Sequence, residues 1–468
     1  MKKYSPRLRV FLFFLLQTAS LALAQTSATL APDLRGKIDE AVRQVLSATG
    51  VPSASVAIVQ DGRIAYLQAY GDARVEPRMP ATPETRYSIG SISKQFAATA
   101  ILMLAEQGKL SLDDPVARFV PDLTRAREIT IRQVLSHTSG YQDYWPQDYV
   151  PPFMLQPVSA DQILDRWARR PLDFEPGTDW QYSNTGYVIA GLIVERASGQ
   201  PLVEFLRQHI FIPLGMKSVM NVDQERLNET DATGYTRYGL GPLRVAHKEG
   251  KGWLFATGEL AMRPEDLAIW DISLINQTLL KPASYGEMES ATVLKNGIAN
   301  DYGLGVDVQR KFSRRAILHG GEVSGFVSEN MVFPDDRVAV VVLTNEDADH
   351  AARPIAQKIA ALLFPQEDAS KEEQQARQIL VGLQHGKINR ALFSDNANFY
   401  FSEQALKDFA TGLRPLGKPQ SLTQTSRKER GGMTYREFLV KFPHKNVEIG
   451  QRTLPDGKIE QFMVGATE

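Results

Sequence analysis

The sequence of 468 residues contains no cysteine, so disulfide bonds, thiolate metal sites and lipid attachment to a cysteine are excluded. Its formal net charge is only −1, with 53 basic against 54 acidic residues, and this balance gives no basic surface for nucleic acid. The seven histidines are scattered without a His-x-x-x-His pair, which disfavours a metal-dependent hydrolase. We therefore expect no metal, no other cofactor and no nucleic-acid partner.

Long apolar runs are also scarce, and the clearest one lies at the N-terminus. Four basic residues precede the apolar run Val10–Leu16, and small residues follow at Ala22–Ala24. This order predicts a secretory signal peptide over residues 1–24, cleaved before Gln25. A membrane anchor is less favoured because polar residues from Gln17 onward interrupt the run well short of a bilayer span. We therefore predict an exported protein, periplasmic or secreted, with no stable membrane span after signal removal.

The length and patterning of the remaining chain predict two domains. Residues 25–364 form the first, and the polar, charged segment 365–374 is typical of a linker. Residues 375–468 are predicted to form a small α+β domain, with helices at Gln375–Gln384 and Glu403–Leu413 before two strand-like segments. This order resembles an NTF2-like cone, and we interpret the domain as an accessory unit for packing or substrate gating.

The first domain carries strand-like segments near both of its ends. Ser55–Gln60 and Arg63–Tyr70 flank an Asp-Gly pair, which is a strong hairpin signal. Strand-like segments return at Ala316–His319, Phe326–Phe333 and Val338–Thr344, whereas the patterns between are mostly helical. We therefore predict an α+β fold, a sandwich in which helices flank an antiparallel sheet and an all-helical block accompanies it.

The first motif that carries chemistry is Ser91-Ile-Ser-Lys94. It opens a helix predicted from apolar residues three and four apart, which ends before Gly108. A serine hydroxyl becomes a nucleophile when a base takes its proton, and an amine one helical turn away can do so if burial lowers its pKa. Backbone N–H groups at the helix start would favour a developing oxyanion. Taken alone, Ser-x-x-Lys is more often a helix cap followed by a surface lysine.

Two further motifs follow in order. Tyr182-Ser-Asn184 stands in a turn before a helix, where a phenol can relay protons and an amide can hold a substrate carbonyl. His319-Gly-Gly321 closes a predicted strand, and its glycines permit close approach of a substrate backbone. Taken alone, each motif is explained by a packed tyrosine or a hydrogen-bonded core histidine. The aromatic and proline-rich segment Tyr141–Pro157 is predicted to be a long loop that could cover such a site.

Together the three motifs resemble the penicillin-recognising serine hydrolases, on the class C β-lactamase and DD-peptidase side. The resemblance covers about Ala31–Phe364. It includes four supporting phrases, at Thr130–Gly140, Glu175–Thr178, Tyr182–Tyr187 and Phe211–Met216. His137 lies within the first of these phrases, and we interpret it as structural.

The resemblance implies a role for each motif. Ser91 would be the acylated nucleophile, and Lys94 and Tyr182 would form its proton relay, either of them acting as the base. Substrate binding is implied for Asn184, His319 and Gly321. The oxyanion hole would consist of the backbone N–H groups of Ser91 and Glu322.

One departure from the family pattern bears on the substrate. Typical β-lactamases of this class carry Lys-Thr-Gly at the third motif, where this chain has His319-Gly-Gly321. A titratable imidazole replaces a fixed cation and a hydroxyl is missing, although both usually help to hold the substrate carboxylate. Histidine versions resemble DD-peptidases, D-aminopeptidases and some esterases of the same fold. Strong β-lactamase activity is therefore not expected.

We accordingly predict an exported serine hydrolase that acts on small-molecule or peptide substrates, namely D-amino-acid peptides, β-lactams or related amides and esters. Two alternatives remain open. The protein could bind penicillins or peptidoglycan fragments as a sensor with little turnover, or it could be a carboxylesterase of the same fold. An α/β-hydrolase is disfavoured because no Gly-x-Ser-x-Gly elbow is found. The sequence assigns no oligomeric state.

Overall fold

The structure is a computed structural model that describes residues 29–312, 314–364 and 371–466. The chain divides into two units after Phe364. The predicted signal peptide, residues 1–24, lies outside the described ranges, and export stays a prediction. Within those ranges no helix is both long and apolar enough to cross a membrane.

A seven-stranded antiparallel sheet forms the centre of the first unit. In spatial order its strands are Met79–Pro80, Arg63–Arg74, Ser53–Gln60, Val338–Thr344, Phe326–Phe333, Arg314–Val323 and Asp307–Lys311. The strand Ser53–Gln60 pairs with Val338–Thr344, and Ala54 lies opposite Thr344. Strands from both ends of the unit therefore meet at the centre of the sheet, as the sequence predicts.

Both faces of this sheet are covered. Every residue of the strand Val338–Thr344 is buried, because successive side chains point to opposite faces and each face has its own apolar cluster. Val340 packs on the side of the helices Pro32–Thr49 and Ala352–Leu363, whereas Val341 packs on the side of the helical block. The α+β class, with helices flanking an antiparallel sheet, is confirmed.

The helical block lies between the two groups of strands along the chain. Its helices are Ser93–Glu106, Ile131–Leu135, Ala160–Ile163, Asn184–Ser198, Leu202–Leu206, Ile212–Leu214, Pro264–Asn276 and Pro282–Met288. Short strands accompany them, at Tyr87–Ser88, Met220–Asn221, Tyr235–Thr236, Arg244–Val245 and Leu260–Met262. The helix Ser93–Glu106 is buried along almost its whole length, because the helix Asn184–Ser198 packs against it. This packing holds the starts of both helices, and thus the first two motifs, in one rigid core.

The second unit places three helices before a four-stranded antiparallel sheet. The helices are Lys371–Gln384, Asp395–Tyr400 and Glu403–Leu413, and the strands are Ser421–Arg430, Met433–Lys441, Asn446–Thr453 and Ile459–Ala466. Neighbouring strands in the chain are neighbours in the sheet. An apolar core joins the two layers, with Leu380 from the first helix packed in the same cluster as Phe438 and Phe462 from the sheet.

The sequence predictions for the second unit were incomplete. The linker prediction over 365–374 was wrong at its end, because the helix already includes Lys371. Acidic residues in the first turn suit the N-terminal end of a helix, and the buried Glu373 accepts a hydrogen bond from the backbone N–H of Gln424 at 2.7 Å. The strand Ser421–Arg430 was missed because Leu422 is its main apolar contribution to the core, so apolar alternation is weak.

Candidate active site

Ser91, the predicted nucleophile, is positioned where a helix start meets the end of a strand. Ser91 lies in a single turn, Gly90–Ile92, directly before the helix Ser93–Glu106. Gly90 has a left-handed φ of 52°, and a Cβ added there would lie 2.6 Å from the backbone nitrogen of Glu322. Glycine is therefore required for the strand Arg314–Val323 to approach the serine turn so closely.

Gly321 makes the same approach from the strand side. A Cβ on this residue would lie 1.9 Å from the carbonyl oxygen of Ile89 and 2.4 Å from Oγ of Ser328. The Ser328 hydroxyl donates to that same Ile89 carbonyl at 2.8 Å, which fastens the two segments together. The backbone nitrogen of Glu322 is thus held beside the turn that carries Ser91, as an oxyanion hole made by these two residues would require.

Lys94 is the central buried charge of the site. Its side chain is fully buried, and Nζ donates to Oγ of Ser91 at 3.0 Å, to Oδ1 of Asn184 at 2.8 Å and to the carbonyl oxygen of Thr257 at 2.9 Å. Burial lowers the pKa of Lys94 to about 7, against the opposing attraction of Asp143. The amine is therefore close to balance between its neutral and charged forms at neutral pH.

Tyr182 contacts the same serine from another side. Its ring centroid lies 4.9 Å from Nζ of Lys94. Burial raises the pKa of Tyr182 well above its usual value, although the nearby Ser91 hydroxyl acts in the opposite direction. The structure thus brings the alcohol, the amine and the phenol into mutual contact, as the sequence predicts.

Asn184 connects this cluster to a residue that the sequence did not single out. Its backbone N–H donates to Oδ1 of Asp143 at 2.9 Å, and its Nδ2 donates to Oδ2 of Asp143 at 3.3 Å. Burial raises the pKa of Asp143, and hydrogen bonds from Trp145 and Asn184 partly offset this effect. Asp143 lies in the segment predicted as a loop, where a single acidic residue gave no local signal.

His319 lies in the cleft as a neutral ring. It is 4% exposed and its centroid lies 6.3 Å from that of Tyr182. Nδ1 is 2.5 Å from the carbonyl oxygen of Gly320, so it carries the proton and donates, and Nε2 then accepts from the Tyr302 hydroxyl at 2.9 Å. Burial, followed by the charge of Lys94, lowers the pKa of His319 to about 3. Tyr302, like Asp143, was not predicted from the sequence.

His137 lies behind the tyrosine of the second motif. Its ring is 4.3 Å from that of Tyr182 and 4.7 Å from that of Tyr302, and its Nδ1 accepts from the backbone N–H of Ser183 at 3.1 Å. Its own backbone has a left-handed φ of 60°. These contacts support the structural interpretation of His137, because they fix the turn that presents Tyr182.

The opening of the cleft differs from its interior. The Glu322 side chain lies 3.7 Å from Nδ1 of His350 and is 45% exposed. Burial raises the pKa of Glu322, His350 lowers it, and the negative charges of Asp347 and Asp148 raise it further. Asp148 belongs to the same long segment as Asp143. We call the half-exposed region around Glu322 and His350 the mouth of the site; its carboxylates make it acidic, whereas the Lys94 amine is buried.

The segment Tyr141–Pro157 lies against this floor. The Tyr144 hydroxyl is 3.1 Å from Oγ1 of Thr257, and its ring packs 5.6 Å from that of Trp253. The segment Tyr141–Pro157 is mainly irregular, with one short turn at Pro152–Leu155.

Among the residues that the structure describes, no group of three or more His, Asp or Glu side chains is placed to hold a metal ion.

Comparison with known proteins gives a family match. The family model described as β-lactamase matches residues 38–363. The chain is 28% identical over 337 residues to the protein flp of Staphylococcus aureus, covering 69% of this chain and 65% of that protein. It is 27% identical over 302 residues to a D-aminopeptidase of Brucella anthropi, covering 63% of this chain and 56% of that enzyme. The match thus spans less than two thirds of the length of each relative.

A solved structure has a similar fold. The D-amino acid amidase from Ochrobactrum anthropi SV3, complexed with D-phenylalanine, is similar with a TM-score of 0.64 and 25% identity. The alignment covers 72% of this chain and 100% of the amidase.

Proposed function

The chain belongs to the β-lactamase family, and from this premise we propose that it is a serine hydrolase that works through an acyl-enzyme on Ser91. The observation that carries the proposal is the hydrogen bond from the buried Lys94 amine to Oγ of Ser91, at 3.0 Å. An amine with a pKa of about 7 can accept the serine proton at neutral pH, which an ordinary lysine cannot.

The reaction would proceed in two halves. Neutral Lys94, directly or through the Tyr182 hydroxyl, accepts the proton as Oγ of Ser91 bonds to the substrate carbonyl carbon. The negative oxygen that forms is held by the backbone N–H groups of Ser91 and Glu322. The proton passes to the leaving nitrogen or oxygen as its bond to the carbonyl carbon breaks. A water molecule then attacks the acyl carbon and gives a proton to the same relay, which returns it to Oγ of Ser91 as the ester bond breaks and the acid product leaves.

The third motif favours substrates that lack a carboxylate next to the scissile bond. Both ring nitrogens of His319 are hydrogen-bonded within the protein, and the ring is neutral. The ring therefore provides no positive charge to bind a substrate carboxylate. The side chain of Glu322 at the mouth would repel an anion and attract an ammonium group. The names of the D-aminopeptidase and D-amino acid amidase relatives support the same preference. We propose amides, peptides or esters of D-amino acids with a free amino group.

Labelling of the serine tests the mechanism. A fluorophosphonate probe should label the wild-type protein and fail to label Ser91→Ala, with a loss of more than about a thousandfold in rate. Ser93→Ala is a matched control, because that hydroxyl accepts the backbone N–H of Leu260 at 3.2 Å and takes no part in the relay. Equal labelling of wild type and Ser91→Ala would remove Ser91 as nucleophile.

A panel of substrates tests the specificity. D-alanine p-nitroanilide should be hydrolysed at least about tenfold more efficiently than its L isomer, acetyl-D-alanyl-D-alanine or a chromogenic cephalosporin. A binding protein with little turnover is the alternative that the missing lysine and hydroxyl of the third motif favour. A stable penicillin adduct without turnover of any amide or ester would support that alternative.

The same proposal includes export and an accessory C-terminal unit. The predicted signal peptide, residues 1–24, supports export, and a mature N-terminus at Gln25 would establish it. The second unit is proposed to assist packing or substrate access.

A further inference from the structure

We propose that Asp143 is a positioning residue that fixes the Asn184 amide with its oxygen toward Lys94 and balances the charge of the lysine through that amide. This inference rests on the proposed function, because it concerns the relay that activates Ser91. Asp143 is assigned no role by the three motifs. Its contribution follows from the polarity of the hydrogen bonds on either side of Asn184.

The carboxylate of Asp143 is surrounded by donors. Oδ1 accepts the backbone N–H of Asn184 at 2.9 Å and that of Trp145 at 3.3 Å, and Oδ2 accepts Nδ2 of Asn184 at 3.3 Å. An ionised carboxylate can only accept hydrogen bonds. The amide nitrogen of Asn184 must therefore point toward Asp143, and the amide oxygen must point the other way.

The other side of Asn184 shows why this orientation matters. Oδ1 accepts a hydrogen bond from Nζ of Lys94 at 2.8 Å. A flipped amide would place its N–H groups against the N–H groups of the lysine, with no acceptor between them, and its oxygen against the Asp143 carboxylate, with no donor between them. Lys94 would then lose one of the three oxygens to which its Nζ donates. Asp143 thus controls the position of the amine without contacting it.

The electrostatic part of the inference depends on what else faces Lys94. His137 and His319 are both buried, and desolvation lowers the pKa of each, so they are neutral near pH 7. The rings of Tyr182 and Tyr187 lie 4.9 and 5.5 Å from Nζ, and burial raises the pKa of both phenols. Asp143 is the group whose negative charge favours the ammonium form of Lys94.

The variant Asp143→Asn tests the proposal with almost no change in volume. The introduced amide can still accept the backbone N–H of Asn184 through its oxygen, but its nitrogen would face Nδ2 of Asn184, donor against donor. The lost charge and the disturbed Lys94 contact both disfavour the ammonium form. The acid limb of the pH profile for fluorophosphonate labelling should therefore move down by about 0.5 to 1 pH unit, and the plateau rate should fall.

The double variant Asp143→Asn with Asn184→Asp, called the exchange below, should shift the acid limb of the pH profile in the opposite direction. The new asparagine would donate to the new aspartate, whose other oxygen would accept from Lys94, so every hydrogen bond would again have a donor and an acceptor. A carboxylate directly on the amine should raise the acid limb by about 1 pH unit or more above wild type.

Asp173→Asn is the matched control. This exposed carboxylate also accepts from a side-chain amide in the same region, Nε2 of Gln181, at 2.9 Å. Its neutralisation should leave the limb within about 0.2 pH unit of wild type, because exposed charges are screened. The inference would be overturned if the acid limb of the pH profile were unchanged in Asp143→Asn, or if the exchange moved it in the same direction as Asp143→Asn. Labelling of Ser91 would still support the proposed function in either case. Absence of wild-type labelling at every pH would overturn the proposed function itself.

Discussion

The two walls of the cleft are built in different ways. The wall from the helical block presents Ser91, Lys94 and Asn184, whose side chains are hydrogen-bonded to one another or to Asp143, and Tyr182, whose ring lies beside the Lys94 amine. The wall from the strand Arg314–Val323 presents glycines, backbone N–H groups and a neutral imidazole. In the proposed mechanism the first wall therefore carries the proton transfers, and the second wall sets the shape of the site.

This difference teaches where each wall is sensitive. The helical wall depends on desolvation and hydrogen-bond polarity, so its function should respond to pH and to single changes of charge. The strand wall depends on how closely two backbones approach, so its function should respond to one added methyl group. Three predictions test this division, beginning with the largest effect.

Gly321→Ala should damage the strand wall severely. The new Cβ would overlap the carbonyl oxygen of Ile89 at 1.9 Å, and backbone cannot yield as a flexible side chain does. Displacement of the Glu322 N–H from Ser91 should slow labelling by about a hundredfold or more. Gly286→Ala, in a helix with open space around the added Cβ, should label normally and melt no lower than wild type. Wild-type labelling by Gly321→Ala would show that the close approach is not needed.

The buried amine of the helical wall should determine the pH profile of fluorophosphonate labelling. If neutral Lys94 is the base, labelling should level off above about pH 7 and fall about tenfold per pH unit below it, since the ammonium form cannot accept a proton. An ordinary lysine would place this limb above about pH 10. Tyr182→Phe then identifies the base, because a limb that persists near pH 7 assigns it to Lys94. A limb that appears only above about pH 10 would contradict the buried, desolvated amine.

Glu322→Gln should give the smallest effect, because this carboxylate is 45% exposed and partly screened. We expect the preference for D-alanine p-nitroanilide over acetyl-D-alanyl-D-alanine to fall about three- to tenfold, mostly through KM. Glu265→Gln, an exposed carboxylate in the first turn of the helix Pro264–Asn276, should change neither constant. An unchanged ratio in Glu322→Gln would mean that the acidic mouth does not select substrates.

The sequence predicted the residues that lie in recognisable motifs, and it placed Tyr182, Asn184 and His319 near Ser91 only through the family resemblance. Ser91 and Lys94 are one helical turn apart, so their proximity follows from helix geometry alone. Asp143 and Asn184 are separated by 41 residues, and Tyr302 and His319 by 17, so these contacts exist only after tertiary packing. No local pattern distinguishes a buried Asp143 from an exposed acid in a loop.

The fold shows the same limit. The strands Phe326–Phe333 and Val338–Thr344 were predicted because both are rich in apolar residues and buried on both faces. In the second unit, Ser421–Arg430 and Asn446–Thr453 bury fewer side chains than these strands and were missed. Apolar burial explains the strands predicted in the first unit, but it does not separate predicted from missed strands in the second, because Asn446–Thr453 and Ile459–Ala466 each bury two apolar side chains.

The pairing of Ala54 with Thr344 has a consequence for synthesis. As the ribosome delivers the chain, the first hairpin must wait for almost three hundred further residues before its hydrogen-bonding partner exists. Until then its strand Ser53–Gln60 presents a free edge that can capture another nascent chain. Translation or translocation that stalls within this interval should therefore yield aggregates, and a holding chaperone would be needed most at that stage.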